Sequence, residues 1–311
     1  MSVNNRLPHV LATLPAWLTR RLRIRPSSSR YGYGGLYMFV YLPSLLPMSF
    51  LYGLSSLAYL FLFHLLAYRK TVVIQNLSRS FPEKKYTEIE SITKAFYRLF
   101  CDNLVEIVKS ASIPAFRQKE KVRLIGFEKI TNQLGQGKHV IASMGHCGNW
   151  EILNVLPSLF DANMYAVYKP LSVKCVDRLF LKIRSRFGMN LIPDKSIARH
   201  FMSNRNPALY FFLADQCPVA VNEAYRFDFL HQKTSVFSGV EKLARKANAC
   251  VVYLHTVRIS RGLYRIECKD ITTDSRSTGK TDITRRYVHL LEQNIREHPG
   301  GWLWSHKRWK R

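Results

Sequence analysis

The chain has 311 residues, with 47 Lys and Arg against 21 Asp and Glu and a formal net charge of +26. That length buries a substantial core in one large domain or two small ones, and the cationic surplus asks for an anionic partner: nucleic acid, an acidic membrane, an acidic protein or a phosphorylated substrate. Six cysteines, Cys101, Cys147, Cys175, Cys217, Cys250 and Cys268, show no CxxC spacing, which argues against a zinc knuckle or disulfide framework and for a reducing compartment.

Residues 1–35 read as a basic arm. Arg6, Arg20, Arg21, Arg23, Arg25 and Arg30 face no acid there, and Pro26 with Ser27 to Ser29 breaks any helix. The arm is too long for a secretory signal, and no small-residue cleavage site follows it. It is either a solvated tail or an adhesive for anionic lipid headgroups. Residues 36–70 follow as a membrane-associating helical segment. No Asp, Glu, Lys or Arg occurs between Tyr31 and Tyr68. Residues 48–66 are about long enough to cross a hydrocarbon core, which takes roughly 20 apolar residues. Pro43 and Pro47 divide any longer helix in two. Both flanks are basic, so charge gives no orientation for a single crossing. A hairpin dipping into one leaflet and a buried core helix stay open as readings.

Residues 71–311 form the rest of the molecule. Thr87, with Glu90 as its capping-box partner, starts a helix. Ile89, Ile92, Phe96, Leu99, Phe100 and Ile107 recur there at helical spacing, a core face that leaves Glu106 on the solvated side. Beyond Pro114, strand-like runs at 139–143, 164–168, 208–213, 250–257 and 263–268 alternate with helix-like runs at 150–160, 173–187, 195–204, 235–248 and 280–297. This alternation predicts an α/β fold: a layered αβα domain with a mostly parallel central sheet, preceded by the apolar helical segment. No Walker loop or GxGxxG occurs, so nucleotide binding has no support.

The stretch Met144-Gly145-His146-Cys147-Gly148-Asn149-Trp150-Glu151 carries the main chemistry. An apolar run ending at Ala142 reads as a buried strand, Gly145 and Gly148 make a turn, and Asn149 caps a helix beginning at Trp150. His146 then sits in a strand-to-helix corner, and Glu151 in the first helical turn can fold back to meet it. A carboxylate there would fix the imidazole tautomer and make His146 a general base; a core histidine and a solvated glutamate are the plain alternative. Arg184 and Arg186 end the 173–187 helix, where paired arginines either bind phosphate or a developing oxyanion, or complement the helix dipole. Asp215 stands just past a buried strand, where α/β sheets place their sites; it could also cap a turn. His231, in an aromatic and charged segment, reads as a loop residue.

Ordered blocks along the chain carry a family resemblance: NLSRSFPEKKYTEIESI at 76–92, GHCGNWE at 145–151, Tyr168-Lys169-Pro170, Arg184-Ser185-Arg186-Phe187-Gly188, Ala214-Asp215-Gln216, FSGVEKLARKANACVV at 237–252, and the tryptophan-rich tail from Glu297 to Lys310. Together they resemble the lysophospholipid acyltransferase superfamily, and within it the late lipid A acyltransferases, over roughly residues 45–311. The resemblance implies an O-acyltransferase that takes a fatty acyl group from acyl carrier protein or acyl-CoA. The acceptor is an anionic membrane lipid, and the setting the cytoplasmic side of a bacterial inner membrane. His146 and Glu151 match its catalytic motif, and Arg184, Arg186 and Asp215 match positions for charge stabilisation or acceptor binding. No cofactor, metal or nucleic acid is implied. Phe229-Leu230-His231 departs from the family's Phe-Phe-Gly segment and leaves acyl-chain length open. Acyl transfer to another membrane lipid, and a non-enzymatic basic membrane- or nucleic-acid-binding protein, are the competing readings.

Overall fold

The computed structural model describes residues 30–218 and 222–309. The arginines of the arm before Arg30 lie outside these residues. Helix α1 (Arg30–Ser44) and helix α2 (Met48–Leu60) are divided where the prolines sit, Pro43 inside the end of α1 and Pro47 directly before α2. The helical segment therefore begins ahead of residue 36. A π-helical turn, Phe61–Leu65, prolongs α2. Met48–Leu65 is thus one stretch long and apolar enough to cross a membrane, with 28% of it buried inside the protein. Phe50, Leu54, Leu57, Leu60 and Phe61 are exposed along it. The other side is fastened to the domain: Tyr52 donates to Glu106 Oε1 at 2.9 Å and Ser55 to Asp102 Oδ1 at 2.6 Å.

Helix α3 (Lys70–Ser80) leads to the long helix α4 (Tyr86–Lys109). Its start is set by Glu88, which accepts the Lys85 backbone N–H at 3.0 Å, while Glu90 pairs with Lys94 at 2.8 Å instead of capping. Ile89, Phe96, Leu99 and Phe100 are buried as their spacing predicts. Glu106 is not solvated. It is 4% exposed, because α2 and the sheet cover the face that an isolated amphipathic helix would turn to water. Its carboxylate accepts from Tyr52, from Asn149 Nδ2 at 2.7 Å and from Tyr264 Oη at 2.8 Å, so three donors replace the water it gives up.

The sheet contains β1 (Val122–Ile125), β2 (Val140–Met144), β3 (Asn163–Tyr168), β4 (Asn190–Pro193), β5 (Ala208–Leu213), β8 (Cys250–Ser260) and β9 (Leu263–Thr272), with β6 (Arg226–Phe229) and β7 (Gln232–Ser235) forming a separate hairpin. The seven strands run in the order β1-β9-β8-β2-β5-β3-β4. From β8 to β4 neighbours are parallel; β9 turns back antiparallel on β8, and β1 runs parallel to β9. The α/β architecture with a mostly parallel sheet is as the sequence predicts. Strands β1, β4, β6 and β7 were not predicted; four residues each are too few for a period-2 pattern to stand out.

Helices α5 (Ala115–Lys119), α6 (Glu128–Gly135), α7 (Lys174–Arg184), α8 (Ile197–Ser203), α9 (Gly239–Ala247) and α10 (Asp282–Glu297) complete the layers. Strand β2 is central and wholly buried, as a parallel strand covered on both faces must be. Ile141 joins the core beneath α8, α9 and α10, while Val140, Ala142 and Met144 join the core beneath α6 and the segment 150–158. Helix α1 packs its tyrosines, Tyr33, Tyr37 and Tyr41, around Leu179 and Ile183 of α7. The tail is pinned from α3, where Asn76 Nδ2 donates to the carbonyls of Trp304 at 2.9 Å and His306 at 3.0 Å.

Candidate active site

Register explains how the site is assembled. Strands β2 and β5 are adjacent and parallel, with Met144 opposite Leu213. The residues two places beyond each, His146 and Asp215, therefore leave the carboxyl edge of the sheet side by side. Asp215 Oδ1 lies 2.5 Å from His146 Nδ1, and Asp215 Oδ2 accepts the His146 backbone N–H at 2.7 Å. The same Oδ2 accepts the indole N–H of Trp302 at 2.7 Å. Asp215 is 3% exposed. Burial pushes its carboxyl up, but the neighbouring imidazole and the hydrogen bonds from His146 and Trp302 outweigh this and bring it down to about 2.

The corner itself is tightly built. A side chain at Gly145 would run into Leu291 and Asp215. Gly148 has φ +59°, which a side chain rarely tolerates. Its N–H donates to the Gly301 carbonyl at 2.8 Å, and its carbonyl accepts from Asn103 Nδ2 at 2.8 Å. Asn149 caps as predicted, accepting the Glu151 N–H at 3.1 Å, but Trp150–Ser158 is a 3₁₀ helix, shorter than the predicted run. The Trp150 ring stands edge-on to the imidazole, 4.7 Å between centroids.

The contact expected between Glu151 and His146 is not formed. Among the described residues, His146 bonds through its ring to Asp215 and meets Gln216 Nε2 at 3.4 Å from Nε2. Glu151 is instead held by Arg184: Nε donates to both carboxylate oxygens at 3.1 and 2.9 Å, Nη2 donates to Oε1, and Asn154 Nδ2 donates to Oε2 at 3.0 Å. The 3₁₀ geometry turns Glu151 toward α7, and the guanidinium fork at the end of α7 meets it bidentately. Burial pushes the Glu151 carboxyl up; Arg184, Asn154 and the nearby imidazole of His146 bring it below its ordinary value. Burial pushes the Arg184 guanidinium down, and Glu151 more than restores it.

His146, Glu151 and Arg184 line one cavity of about 240 Å³. Gln216, Tyr168 and Lys169 add polar groups, and Leu104, Ile107, Phe180, Leu191 and Phe211 are among its apolar walls. Arg186 is elsewhere. Its guanidinium donates to the carbonyls of Ser110 at 3.1 Å, Ser112 at 3.2 Å and Ile113, complementing the carboxyl end of α4. His231 also lies apart, in a turn at φ +60°, with Arg296 at 3.2 Å. Cys147 is buried, and burial with the Asp215 charge pushes its thiol far up, away from the reactive thiolate form. Trp302 and Gln216 were not singled out from sequence. A buried indole N–H needs an acceptor, which is a signal for Trp302 but does not say which acceptor.

A model of the family described as bacterial lipid A biosynthesis acyltransferase matches residues 28–311. Comparison with individual curated proteins finds no match.

Proposed function

As the chain belongs to the bacterial lipid A biosynthesis acyltransferase family, we propose that it moves a fatty acyl group from an acyl thioester to a hydroxyl of a lipid A precursor, with His146 as general base. The observation that carries this reading is the buried carboxylate on His146 Nδ1 beside an apolar cavity. With Nδ1–H donated to Asp215, Nε2 is the free base. It takes the proton from the acceptor hydroxyl as the oxygen bonds to the thioester carbonyl carbon. The tetrahedral intermediate collapses by breaking the C–S bond, and the imidazolium returns the proton to the departing thiolate. Asp215 fixes the tautomer and favours the charged ring. Glu151 acts on His146 through its field rather than through a hydrogen bond, and Arg184 holds Glu151 in place while adding positive charge where the oxyanion develops. Arg186 serves this site by anchoring the end of α7 to α4.

The donor is acyl carrier protein, an acidic partner suited to this chain's charge, or acyl-CoA. The acyl chain enters the apolar part of the cavity, where each methylene contributes about 0.8 kcal/mol. The exposed faces of α1 and α2, with Phe39, Leu42, Leu54 and Leu57, sit in the cytoplasmic leaflet of the inner membrane. With Tyr52 and Ser55 tying one turn of α2 to α4 and Arg98 covering the Tyr59 ring one turn on, the helix lies in the interface instead of crossing the bilayer.

His146→Ala, assayed for turnover of an acyl thioester in a variant shown to be folded, tests the mechanism. The expected loss is about 10²–10⁴-fold, the usual weight of general-base help. Turnover at the wild-type rate would overturn the proposal. Mass spectrometry of lipids from a deletion strain identifies the acceptor; unchanged lipid A would move the activity to another membrane lipid.

A further inference from the structure

Helix α2 separates two kinds of surface. On one side Leu54, Leu57, Leu60 and Phe61 are exposed. On the next, Ser55, Ser56 and Tyr59 wall a recess of about 500 Å³ whose far side is Arg98, Asp102, Arg258 and Arg261. Asp102, 3% exposed, organises it. Its carboxylate takes Nη2 of Arg258 at 2.6 Å, Nε of Arg261 at 3.0 Å and Nη2 of Arg261 at 2.6 Å. Two guanidiniums are thus held in fixed orientation by one buried anion, yet their side chains remain 22% and 42% exposed. Arg98 lies over the Tyr59 ring, 5.2 Å from its centroid, and pairs with no carboxylate among the described residues. Three arginines against one carboxylate leave the recess strongly cationic.

We propose that this recess seats the phosphate of an anionic bilayer phospholipid and so fixes how α2 lies on the membrane. Guanidinium forks match phosphate oxygens, and each fork here has donors beyond those given to Asp102. The apolar rim selects the source: side chains at Leu57 and Leu60 enter the acyl region while the arginines sit at headgroup level. A free phosphate has no use for that rim. The site is separate from the reacting centre. Helix α4 stands between, with Arg98 and Asp102 on the recess and Leu104 and Ile107 on the cavity that holds His146. The inference rests on the membrane seat proposed above.

The test is flotation of the full detergent-purified chain with phosphatidylcholine vesicles, with and without phosphatidylglycerol, in the absence of any acceptor. The readout is the preference for anionic over neutral vesicles. R98Q/R261Q is expected to lower that preference about thirtyfold, the weight of two basic residues at an anionic surface. R98K/R261K keeps the charge but loses the forks, and is expected to fall about fivefold, between wild type and R98Q/R261Q. Arg205 and Lys246 are exposed near the amino ends of β5 and β8, at the opposite edge of the sheet; R205Q/K246Q removes the same charge there and stays within about threefold of wild type, being beyond the roughly 8 Å reach of unscreened charge. Equal losses in the R98Q/R261Q and R205Q/K246Q variants would reduce the recess to diffuse charge. Displacement of wild type by millimolar inorganic phosphate, beyond chloride at matched ionic strength, would reassign it to free phosphate. A wild type that binds no vesicle defeats the membrane seat itself, whereas one that binds neutral and anionic vesicles alike defeats only the recess.

Discussion

Asp215 is where local chemistry and stability meet. Its carboxylate accepts one ring nitrogen and one backbone N–H of His146 and an indole N–H from the tail, so a single side chain sets the imidazole's tautomer and position. Asp215→Asn keeps the shape but offers an amide that can turn its donor toward Nδ1, which favours the unproductive tautomer. The expected outcome is a fall in kcat of about 10²–10⁴-fold with a much smaller change in KM, measured by steady-state thioester turnover. The same residue has a pH signature. Its carboxyl moves from an ordinary 3.8 to about 2 in the fold. A lowered carboxyl stabilises the native state where it is ionised, so its contribution is complete above about pH 4 and disappears as pH falls through 2; its size is ~2 kcal/mol. In chemical denaturation the stability gap between wild type and Asp215→Asn should close over that window. A gap that stays constant from pH 5 to pH 2.5 would mean that the ionised form is not what stabilises the fold.

At the scale of elements, helix α4 carries more than its apolar stripe announces. The corner 145–149 was readable because an apolar run, two glycines and an asparagine cap each declare themselves locally. Asp215 was readable as an acid at a strand end. That these two meet was not, since the adjacency of β2 and β5 depends on β3 and β4 being added outside β5, a choice made by the whole sheet. Glu151 misled for a related reason: its spacing from His146 permits a contact, but Arg184, distant in sequence, offers the better fork. Glu106 went unread because amphipathic spacing identifies one buried face and is silent about a second element covering the other. Its three donors come from α2, the corner and β9. Glu106→Ala leaves all three without an acceptor at about 1–3 kcal/mol for each group that water cannot reach. We expect a loss of about 3 kcal/mol in urea or guanidinium unfolding. A loss under 1 kcal/mol would show that water replaces the carboxylate and that the junction is wet.

Across the whole molecule, charge and exposed apolar surface suit the two unlike substrates of the proposed reaction. In the proposed reaction, the net charge of +26 would raise the encounter rate with an acidic carrier protein and with an anionic bilayer alike. On the proposed membrane seat, the exposed apolar residues of α1 and α2 would convert encounter into residence. Helix α1 packs against α7, which ends in Arg184 at the cavity, and α2 packs against α4, which supplies Leu104 and Ile107 to it. Helices α1 and α2 and the cavity that holds His146 are therefore built on the same two supports, which on the proposed reading brings an acceptor held in the leaflet to the cavity. Leu57 and Phe61 are 63% and 42% exposed, so replacing both by Asp removes apolar contact with lipid without opening the core. Each such side chain contributes roughly 1.5–3 kcal/mol when buried. L57D/F61D should lose about 100-fold or more in transfer to an acceptor embedded in vesicles. Transfer to a short-chain acceptor dissolved in water should stay within about threefold, because Tyr52, Ser55 and the cavity walls are untouched. If both reactions fall together, these residues support the fold and not the membrane seat; if neither falls, the leaflet is met by another part of the surface.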